Sequence, residues 1–520
     1  MLNPVLPVLT PDQSAAWDRK AIAGGIELAT LMECAGRAVL AAMAPRFAAR
    51  LAGGVLVAAG HGHNGGDGWV LARALHRLDV PVWVTAPPGD GGAELRERMA
   101  RLARAEGVRE VAPDGPWPTV ALAVDALLGT GASGPPRAPV AALLERLLDL
   151  EVPLVAVDGP TGVDLLSGTV HGAARADLTV TFGGVRRGHL LARDEVGDVL
   201  VADIGHPPAE PDWPGLVTDD VAAEWLPRLR ADSHKGTRGR VVVIGGDAGM
   251  TGAIRMAARA AFAAGAGLVH AVAPAETVAA LVQAEPDLQT LAHPFDVPPS
   301  SALRDLVARA DAVVIGPGLG RANGRRAWVA AVARDAKALL LDADALVAFQ
   351  GGLDELRSMA EARPVVITPH PGECRGLLPD LASQRELDPW GAAEAAAERS
   401  RAVVLLKGVP SVVAVSGRPP LTVAAGNPGL ATGGSGDVLS GIIGTALAQE
   451  VEPRIAAALG AQALGRAADI AVRRVSARSL RPMDVVSAMG DLWREWELLR
   501  RSPSPPRPPV LLELARPQNL

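Results

Sequence analysis

The sequence predicts two α/β domains in tandem, each built around a largely parallel sheet. Short apolar runs alternate with helical stretches, and glycine and proline cluster where the runs end. The proline-rich segment GHPPAEPDWPG (205–215) separates two such series. The chain has 520 residues, of which 49% are hydrophobic and 21% charged, which is enough for two or three globular domains.

The first series opens with a helix in LTPDQSAAWDRKAI. Thr10 can cap this helix, Pro11 takes its first position and Gln13 completes a capping box. The strands predicted for this series are GVLVAAG (54–60), PVWVTA (81–86), VALAVDALLG (120–129), VPLVAVDGP (152–160) and DLTVTFGG (177–184). Those of the second series are GRVVVIGG (239–246), DAVVIGPG (311–318), ALLLDAD (338–344), PVVITP (364–369) and AVVLLKG (402–408). We interpret the proline-rich residues 501–520 as a disordered tail.

Composition argues against several classes of function. The net charge is −6 with both signs interspersed, which does not favour nucleic-acid binding. The two cysteines, Cys34 and Cys374, lie in different halves, so neither a disulfide framework nor a cysteine metal site is expected. We see neither a signal-peptide pattern nor a charge-free apolar run of about 18 residues. We therefore expect a soluble cytoplasmic protein without membrane or nucleic-acid partners. We also expect a homo-oligomer, although no feature of the composition specifies it.

The loop GHGHNGGDG (60–68) follows a predicted strand and leads into a predicted helix. Its glycines allow backbone N–H groups to approach an anion where the helix begins. Asp67 would repel a phosphate, so we expect it either to cap the helix or to bind a hydroxyl. A tight turn without a ligand is the alternative, and two histidines without a third ligand are a weak indication of a metal.

Two further loops end later strands of the first series. VDALLGTGASGPPR offers Asp125 and Arg137, and VDGPTGVD offers Asp158 and the hydroxyl of Thr161. Each aspartate alone could be a turn residue or a helix cap. Three polar loops at one edge of a parallel sheet predict a binding site. There, Asn64, Asp125 and Thr161 could supply oxygen ligands to a monovalent cation.

Five segments of the first half stand out, and they are LMECAG, GHNGGDG, VDALLGTG, VDGPTGVD and TVTFGGVRRGHL. In order and spacing they resemble the NAD(P)H-hydrate epimerase family over residues 8–205. The resemblance implies a Rossmann-like three-layer domain, residues 1–215, that interconverts the R and S epimers of hydrated NADH or NADPH. It implies that Asp158 is the catalytic acid/base residue and that Asn64, Asp125 and Thr161 bind potassium. The implied substrate-binding residues are Asn64, Gly65, Gly66, Asp67, Gly129, Thr130, Gly131, Ala132, Ser133, Gly134, Pro135, Arg137 and Asp158.

Two positions depart from the pattern of this family. The family usually has serine where this chain has Thr161, which keeps the oxygen. It usually has lysine where this chain has Arg186, and arginine keeps the charge but is not a proton shuttle. If the lysine performs acid/base work, arginine would weaken the epimerase. If the lysine only binds phosphate, arginine would serve.

The segment GNPGLATGGSGDVLSGIIGTALA (426–448) carries the strongest single signal. Thr432-Gly-Gly-Ser-Gly leads into an apolar helix, so consecutive N–H groups can converge on a transferring phosphoryl group. Asp437 follows at once, where it could orient or deprotonate the attacking hydroxyl. At other strand ends Lys235 could contact phosphates, and His370 could either bind substrate or be a turn residue.

The second half contains six further motifs, HKGTRG, GMTGA, GPGLG, LDADAL, TPHPGE and GNPGLATGGSGDVLSG. Together they resemble the ribokinase-like, ADP-dependent NAD(P)H-hydrate dehydratases over residues 220–495. The resemblance implies a domain, residues 216–500, that uses ADP to phosphorylate the C6 hydroxyl of the S hydrate. This transfer releases AMP, and elimination of phosphate then restores NAD(P)H, with Mg²⁺ accompanying the nucleotide. The implied hydrate-binding residues are Ala253, Gly318, His370 and the catalytic Asp437. The implied nucleotide-binding residues are Lys407, Gly408, Val409, Pro410, Ser411 and Gly436.

The two implied activities are complementary, because a stereospecific dehydratase leaves the R epimer behind. Two alternatives stay open at this point. The second half could phosphorylate a vitamin precursor, such as a hydroxymethyl-pyrimidine or a thiazole. The first half could be a nucleotide-binding module whose catalytic site has decayed.

Overall fold

The computed structural model describes residues 5–89, 92–172, 175–379, 388–501 and 509–517. These residues form two compact units. The N-terminal unit comprises Leu6–Trp213 with residues 509–517, and the C-terminal unit comprises Val5 with residues 214–501. Each unit alternates strands and helices around a largely parallel sheet, so the predicted α/β class is confirmed.

The N-terminal unit is built on an eight-stranded sheet. The eight strands of this sheet are β2 (Val55–Ala59), β3 (Val82–Thr85), β4 (Arg109–Glu110), β5 (Leu122–Ala126), β6 (Leu154–Val157), β7 (Leu178–Phe182), β9 (Asp198–Ala202) and β20 (Val510–Leu514). Two further strands of the unit, β1 (Leu6–Leu9) and β8 (Val185–Arg186), lie outside this sheet. Its helices are α1 (Pro11–Ala23), α2 (Leu28–Leu51), α3 (His63–His76), α4 (Glu94–Glu106), α5 (Ala138–Leu148), α6 (Arg187–Leu191) and α7 (Arg193–Val196). The sheet order is β20-β9-β7-β6-β5-β2-β3-β4, and β1 pairs with β8 separately.

Alternating residues of the central strands explain why helices cover both faces of this sheet. Val55 and Val57 of β2 belong to a core cluster with α2, α3 and α4. Leu56 belongs to a second cluster, with Leu143 and Leu147 of α5. Because successive strand residues point to opposite faces, this pattern requires a helical layer on each side. The five strands predicted for this half are present, and the three-layer arrangement follows from their burial.

The predicted start of α1 is also confirmed. The Thr10 side chain accepts a hydrogen bond from Gln13 N, and the Gln13 side chain accepts one from Thr10 N. Pro11 occupies the first helical position, where its missing N–H costs nothing. This capping box fixes the entry of a helix that reaches one wall of the cavity described below.

The interpretation of residues 501–520 as disordered is wrong for Val510–Leu514. These residues form β20, which pairs antiparallel with β9 at the edge of the N-terminal sheet. Arg516 adds a bond from its backbone N–H to Asp198 Oδ1 at 2.6 Å, and Arg193 Nη2 donates to Ala515 O at 2.6 Å. The strand forms because an open sheet edge offers unpaired N–H and C=O groups to an apolar segment. Residues 502–508 and 518–520 lie outside the described residues.

Truncation after Arg501 is expected to lower the free energy of unfolding of the N-terminal unit by about 2–4 kcal/mol, since several hydrogen bonds of about 1 kcal/mol each are lost. Denaturant titration of the full-length and the truncated chain measures this loss. Leu512→Pro should reproduce part of it, because proline cannot donate to the ladder. An unchanged midpoint for the truncated chain would show that β20 does not stabilise this sheet.

In the C-terminal unit, ten strands of the described residues form one sheet. They are β10 (Gly215–Leu216), β11 (Arg240–Ile244), β12 (Leu268–Ala273), β13 (Gln289–Ala292), β14 (Ala312–Ile315), β15 (Leu339–Leu341), β16 (Val365–Ile367), β17 (Val403–Leu406), β18 (Ser411–Val415) and β19 (Arg418–Val423). Their order is β13-β12-β11-β14-β15-β16-β17-β18-β19-β10. The first seven strands in that order run parallel, and β18 is antiparallel to both its neighbours.

The helices of this unit include long apolar ones that bury their sides against the sheet and each other. They are α8 (Asp219–Trp225), α9 (Thr251–Ala263), α10 (Ala275–Ala284), α11 (Ser301–Arg309), α12 (Arg325–Ala333), α13 (Asp344–Ala348), α14 (Leu353–Ala362), α15 (Pro371–Leu377), α16 (Pro389–Ser400), α17 (Ser435–Ala448), α18 (Pro453–Ala471) and α19 (Pro482–Arg501). Helix α17 lies at the centre of this packing, because Val438, Ile442 and Ile443 are buried beside Val241 and Val243 of β11. The sequence analysis found β11, β14, β15, β16 and β17 and missed the strands nearer the edges.

Among the described residues, one helix is long and apolar enough to cross a membrane, and it is α2. Leu31, Met32 and Val39 of this helix belong to the core cluster that covers β2. Pro45 lies inside the helix and Phe47 has non-helical dihedral angles, so α2 is kinked. The buried face and the kink are what a core helix of an α/β unit shows.

Candidate active sites

A cavity of about 450 Å³ opens in the N-terminal unit at the carboxyl ends of β2, β5 and β6. This is where open parallel sheets bind ligands. Of the residues predicted for this site, those lining the cavity are Asn64, Asp67, Gly129, Thr130, Gly131, Ala132 and Asp158. Gly65 and Gly66 are buried in α3. Ser133, Gly134, Pro135 and Arg137 are not among the residues that line the cavity.

Helix α3 begins at His63, inside the predicted loop. Its N-cap is Gly62, which provides no side chain, so the interpretation of Asp67 as a helix cap is wrong. The helix begins this early because Gly65 packs on the carbonyl of Gly60, leaving no room for a Cβ and making the turn from β2 very tight. Asp67 lies further along α3 and lines the cavity. Burial, followed by the charges of Asp158 and Asp18, raises the pKa of Asp67 well above its usual value.

Asp158 lies immediately after β6 and lines the same cavity. Oδ2 accepts hydrogen bonds from the backbone N–H of Thr130 at 2.8 Å and from its hydroxyl. Oδ1 accepts from the Thr181 hydroxyl at 3.1 Å and from Arg186 Nη2 at 3.2 Å. Burial alone would raise the pKa of Asp158, but the charge of Arg186 and the bonds from Thr130 outweigh it and lower the pKa. Asp158 is therefore held as a carboxylate.

Arg186 is buried beside Asp158 and is only 3% exposed. Its Nη1 donates to Phe182 O at 3.1 Å and to Gly184 O at 2.6 Å, in addition to the bond from Nη2 to Asp158. The guanidinium thus joins three acceptors at fixed positions, which suits a planar group with several donors. In this chain Arg186, at the position where lysine was expected, holds the Asp158 carboxylate in place.

The predicted cation ligands lie in one neighbourhood, and two of them are in direct contact. The Thr161 hydroxyl donates to Asp125 Oδ1 at 2.8 Å, and Thr161 N donates to Asp125 Oδ2 at 2.7 Å. The side chain of Asn64 lies next to Gly129, and Gly129 also adjoins the Asp158 carboxylate. Both polar atoms of the Asn64 amide are buried without a hydrogen-bond partner in the described residues. A buried amide of this kind requires a hydrogen-bond partner such as an ordered water or an ion.

Two further residues that line this cavity were not predicted from the sequence. Asp18 from α1 and His206 from the connector both line it, and His206 Nε2 lies 2.8 Å from Asp18 Oδ1. The His206 ring stacks on Trp17 with centroids 4.4 Å apart. Trp17 and Asp18 alone do not indicate a binding site in the sequence. His206, which contacts both, is remote in the sequence.

In the C-terminal unit, a second set of loops converges at the carboxyl ends of β11, β14, β15, β16 and β17. Ala253 and Gly318 touch, because a Cβ on Gly318 would lie 3.2 Å from that of Ala253. Gly436 lies next to Lys407, whose Nζ would be 3.5 Å from a Cβ at that glycine. Lys235 precedes β11, at the amino end of the strand, and the structure does not bring it to this group.

The amino end of α17 faces this second site. Gly434 is the N-cap with φ of 100°, a left-handed conformation that favours glycine, so the chain can turn sharply into the helix. The Ser435 hydroxyl is buried without a hydrogen-bond partner in the described residues. The first N–H groups of the helix and this hydroxyl together provide donors for an anion.

Asp437 lies in the first turn of α17. Burial, followed by the charge of Asp342, raises the pKa of Asp437 to about 7, although Lys407 opposes the shift. A carboxylate with such a pKa can accept a proton near neutral pH and is suited to act as a general base.

Asp342 is a functional candidate that the sequence analysis quoted within LDADAL but gave no role. It is 1% exposed, and it accepts hydrogen bonds from Lys407 Nζ at 2.8 Å and from Ser440 Oγ at 2.7 Å. Lys407 Nζ also lies 3.7 Å from Glu373 Oε2. Burial would lower the pKa of Lys407, but Asp342 and Glu373 reverse this and raise it. The lysine is thus held charged beneath Gly436.

His370 is the N-cap of α15, as the alternative of a turn residue predicted. Its Nδ1 accepts from Gly372 N at 2.9 Å, while His370 N donates to Glu373 Oε2 at 2.7 Å. The histidine side chain is 53% exposed, and its Nε2 lies 3.4 Å from Glu373 Oε1. Capping and substrate binding are therefore compatible at this position.

Comparison with known proteins relates the two units to two families. A family model described as NAD(P)H-hydrate dehydratase matches residues 241–489, and a model described as YjeF-related protein N-terminus matches residues 28–188. A relative from Escherichia coli (strain K12) is 37% identical, and the alignment covers 84% of each chain. A relative from Salinibacter ruber is 38% identical over 89% of this chain and 92% of its own length. Both are named bifunctional NAD(P)H-hydrate repair enzymes.

A solved structure of an ADP/ATP-dependent NAD(P)H-hydrate dehydratase from Bacillus subtilis, co-crystallised with ATP and Mg²⁺, is also similar to the chain. It is 25% identical, covers 54% of this chain and 98% of its own, and has a TM-score of 0.46. The curated relatives cover both units at once, and they favour hydrate repair over the phosphorylation of a vitamin precursor. The chain therefore belongs to the bifunctional NAD(P)H-hydrate repair enzymes, which join an NAD(P)H-hydrate epimerase to an NAD(P)H-hydrate dehydratase.

Proposed function

We propose that Asp158 is the acid/base residue of epimerisation and that Arg186 keeps it ionised. In the hydrate, C6 carries both the hydroxyl and the ring nitrogen N1. Transfer of the hydroxyl proton to Asp158 allows the C6–N1 bond to break as the C6 carbonyl forms, and the proton then passes to N1. Ring closure on the other face reverses these transfers and inverts C6. One carboxylate can carry the proton in both directions, so arginine need not act as a shuttle. The observation that supports this role is the Arg186–Asp158 pair in the cavity.

The remaining epimerase residues bind substrate and a cation in this proposal. The backbone of residues 129–135 and the amino end of α3 would hold the diphosphate and ribose, with Asp67 accepting or donating to a hydroxyl. Arg137 would contact the outer phosphates. Potassium would be held by Asn64, Asp125 and Thr161, and the orphaned Asn64 amide supports an oxygen-binding cation there. Potassium would supply fixed positive charge near the substrate.

Arg186→Lys tests whether residue 186 holds the Asp158 carboxylate in place or transfers protons. A lysine donates from one nitrogen, so it cannot reproduce the bonds to Phe182 O, Gly184 O and Asp158 together. We expect a free energy of unfolding lower by about 1–3 kcal/mol and no gain in kcat for conversion of R to S hydrate. Arg175→Lys, at an exposed site in the same unit, is the matched control. A several-fold rise in kcat would contradict anchoring and favour proton transfer by lysine.

We propose that the second site dehydrates the S hydrate at the expense of ADP. Asp437 takes the proton of the C6 hydroxyl, whose oxygen attacks the β-phosphorus of ADP and displaces AMP. Phosphate, a far better leaving group than hydroxide, then leaves C6, and loss of a C5 proton restores the dihydropyridine. The observation that carries this proposal is Asp437 in the first turn of α17, beside the anion-binding amino end.

The other residues of this site would position the two substrates. The nucleotide would be held by Lys407, Gly408, Val409, Pro410, Ser411 and Gly436. Ala253, Gly318 and His370 would contact the hydrate with Asp437. Asp342 is paired with Lys407, and Asp344 is paired with Arg321. Mg²⁺ would bind with the nucleotide phosphates and neutralise their charge.

The pH dependence of dehydration follows from Asp437. A general base works in its ionised form, so kcat/KM should rise with pH through about 7, the pKa of Asp437, and level off above it. Asp342→Asn removes a negative charge that raises this pKa, so the ascending limb should move to lower pH. Rates measured from pH 5 to 9 in buffers of constant ionic strength give the ascending limb of the wild-type chain and that of the variant. A limb that stays in place in Asp342→Asn would contradict this assignment.

The nucleotide is tested by stoichiometry. Purified full-length protein is incubated with the S hydrate, Mg²⁺ and either ADP or ATP, and the products are followed by ³¹P NMR and NADH absorbance. We expect one AMP and one phosphate for each NADH restored from ADP. NADH formation without consumption of ADP would contradict a phosphorylated intermediate, and ATP consumption alone would transfer the role to ATP.

The finer organisation also belongs to this proposal. We assign the epimerase domain to residues 1–215 and the dehydratase domain to residues 216–500. Both would act in the cytoplasm, where NADH and NADPH are abundant, as a soluble homo-oligomer that needs neither nucleic acid nor a membrane. Light scattering after size-exclusion chromatography measures the oligomeric state, and a monomer at micromolar concentration would correct it.

A further inference from the structure

His189 lies at the junction of the two charged residues of the epimerase site. It belongs to α6, three residues after Arg186, and its side chain is fully buried. Its Nδ1 lies 3.0 Å from Arg186 N, and its Nε2 lies 2.7 Å from Asp158 O. One imidazole therefore contacts the backbones of both residues.

These two contacts define the protonation state and the tautomer of the His189 ring. The N–H of Arg186 can only donate, so Nδ1 must be an unprotonated acceptor. The carbonyl of Asp158 can only accept, so Nε2 must carry the proton. Only the neutral Nε2–H form of His189 satisfies both bonds. Burial, followed by the charge of Arg186, lowers the pKa of His189 to about 4, which keeps the ring neutral at physiological pH.

The bond to Asp158 acts on a strained residue. Asp158 has φ of 64°, in the left-handed region that costs a residue with a side chain about 1–2 kcal/mol. Such a conformation persists only where surrounding contacts hold it. The Asp158 carbonyl is held by His189, while the carboxylate is held by Thr130, Thr181 and Arg186. Relaxation of the backbone would turn the carboxylate away from the cavity.

The bond to Arg186 acts on the second charged residue. Arg186 is the N-cap of α6, and its backbone N–H donates to His189 in the arrangement of a capping box. This bond sets the direction in which the Arg186 side chain leaves the helix. The same ring therefore fixes the relative positions of the arginine and the aspartate.

We propose that His189 is a positioning residue for epimerisation. As a neutral imidazole it holds Asp158 in its left-handed conformation and Arg186 at the start of α6, so that the carboxylate meets the hydroxyl of C6 without reorganisation. This inference rests on the proposed role of Asp158. A displacement of about 1 Å at a reacting group can cost roughly 100-fold in rate.

Three variants separate the two bonds. His189→Leu removes both, His189→Asn keeps an acceptor near Arg186 N, and His189→Gln extends an N–H donor towards Asp158 O. We expect Leu and Asn to lower kcat for R-to-S conversion about 10- to 100-fold with KM changed less than about 3-fold. Gln should retain most of the rate, because it restores the bond to the strained residue. Dehydration of S hydrate by the same full-length chains should stay at the wild-type rate.

Wild-type kcat in His189→Leu, or equal losses in Leu, Asn and Gln, would overturn the inference. A rise in KM equal to the fall in kcat/KM would also overturn it, since that result describes loss of substrate binding. Asp158→Asn is measured in parallel to separate this inference from the role of the aspartate. If Asp158→Asn remains active, the proposed role of Asp158 fails; if it is inactive while His189→Leu is unaffected, only the role of His189 fails.

Discussion

Asp437→Asn is expected to lower kcat for dehydration of the S hydrate about 10³-fold, because loss of a general base typically costs 10²- to 10⁴-fold. The amide keeps the size of the carboxylate but cannot accept the hydroxyl proton. The backbone donors at the amino end of α17 and the charge of Lys407 stay in place, so nucleotide binding should persist. The rate is measured as recovery of NADH absorbance with saturating ADP and Mg²⁺.

Two comparisons make this result specific. Asp354→Asn removes the same charge at an exposed site in α14 and should leave the rate unchanged. Epimerisation by the Asp437→Asn chain should also remain at the wild-type rate. A loss of less than about 10-fold in Asp437→Asn would mean that another group takes the proton, and Asp342 would then be the first candidate.

Asp158→Asn is expected to lower kcat for R-to-S conversion by about 10²- to 10⁴-fold. Asparagine retains an oxygen for Thr130 and Arg186, but it cannot take the hydroxyl proton. The substitution also leaves Arg186 buried without its negative partner. Since removal of one partner of a buried ion pair costs about 3–5 kcal/mol, a lower melting temperature should accompany the loss of rate.

The loss of rate must be separated from the loss of stability. Assays at a temperature well below the measured melting point, with saturating R hydrate, remove the contribution of unfolded protein. Asp149→Asn, an exposed position after α5 in the same unit, is the matched control and should keep both rate and stability. Full epimerase activity in folded Asp158→Asn would remove Asp158 from the chemistry.

The central strands and their loops were predictable because their signals are local. A buried apolar run followed by aspartate and glycine predicts the end of a strand, as at Asp158. A glycine-rich loop followed by an apolar run predicts the start of a helix, as at Asp437. The capping box of α1 was equally local, with all its partners within four residues. Strand β20 was not predictable, because its stability comes from pairing with β9, about 300 residues away along the chain.

Several functional contacts depend on the fold and left no clear mark in the sequence. Asp342 closes the apolar run LLL, yet its importance follows from Lys407 and Ser440, which other elements bring to it. His189 follows Arg186 by three residues, but its bond to Asp158 joins two separate loops. The start of α3 was placed too late, because close packing of Gly65 on Gly60 is a tertiary contact. Sequence therefore indicated the charged groups better than the residues that position them.

The most direct test follows NADH absorbance from a mixture of R and S hydrates treated with full-length protein, ADP and Mg²⁺. If both sites act as proposed, the absorbance recovers fully, because the R form is converted to S as S is consumed. The spontaneous rate is measured with Asp158→Asn, which should stop after the S fraction and then follow the slow uncatalysed conversion. Recovery by the wild-type chain of only the S fraction would contradict an active epimerase with arginine at position 186.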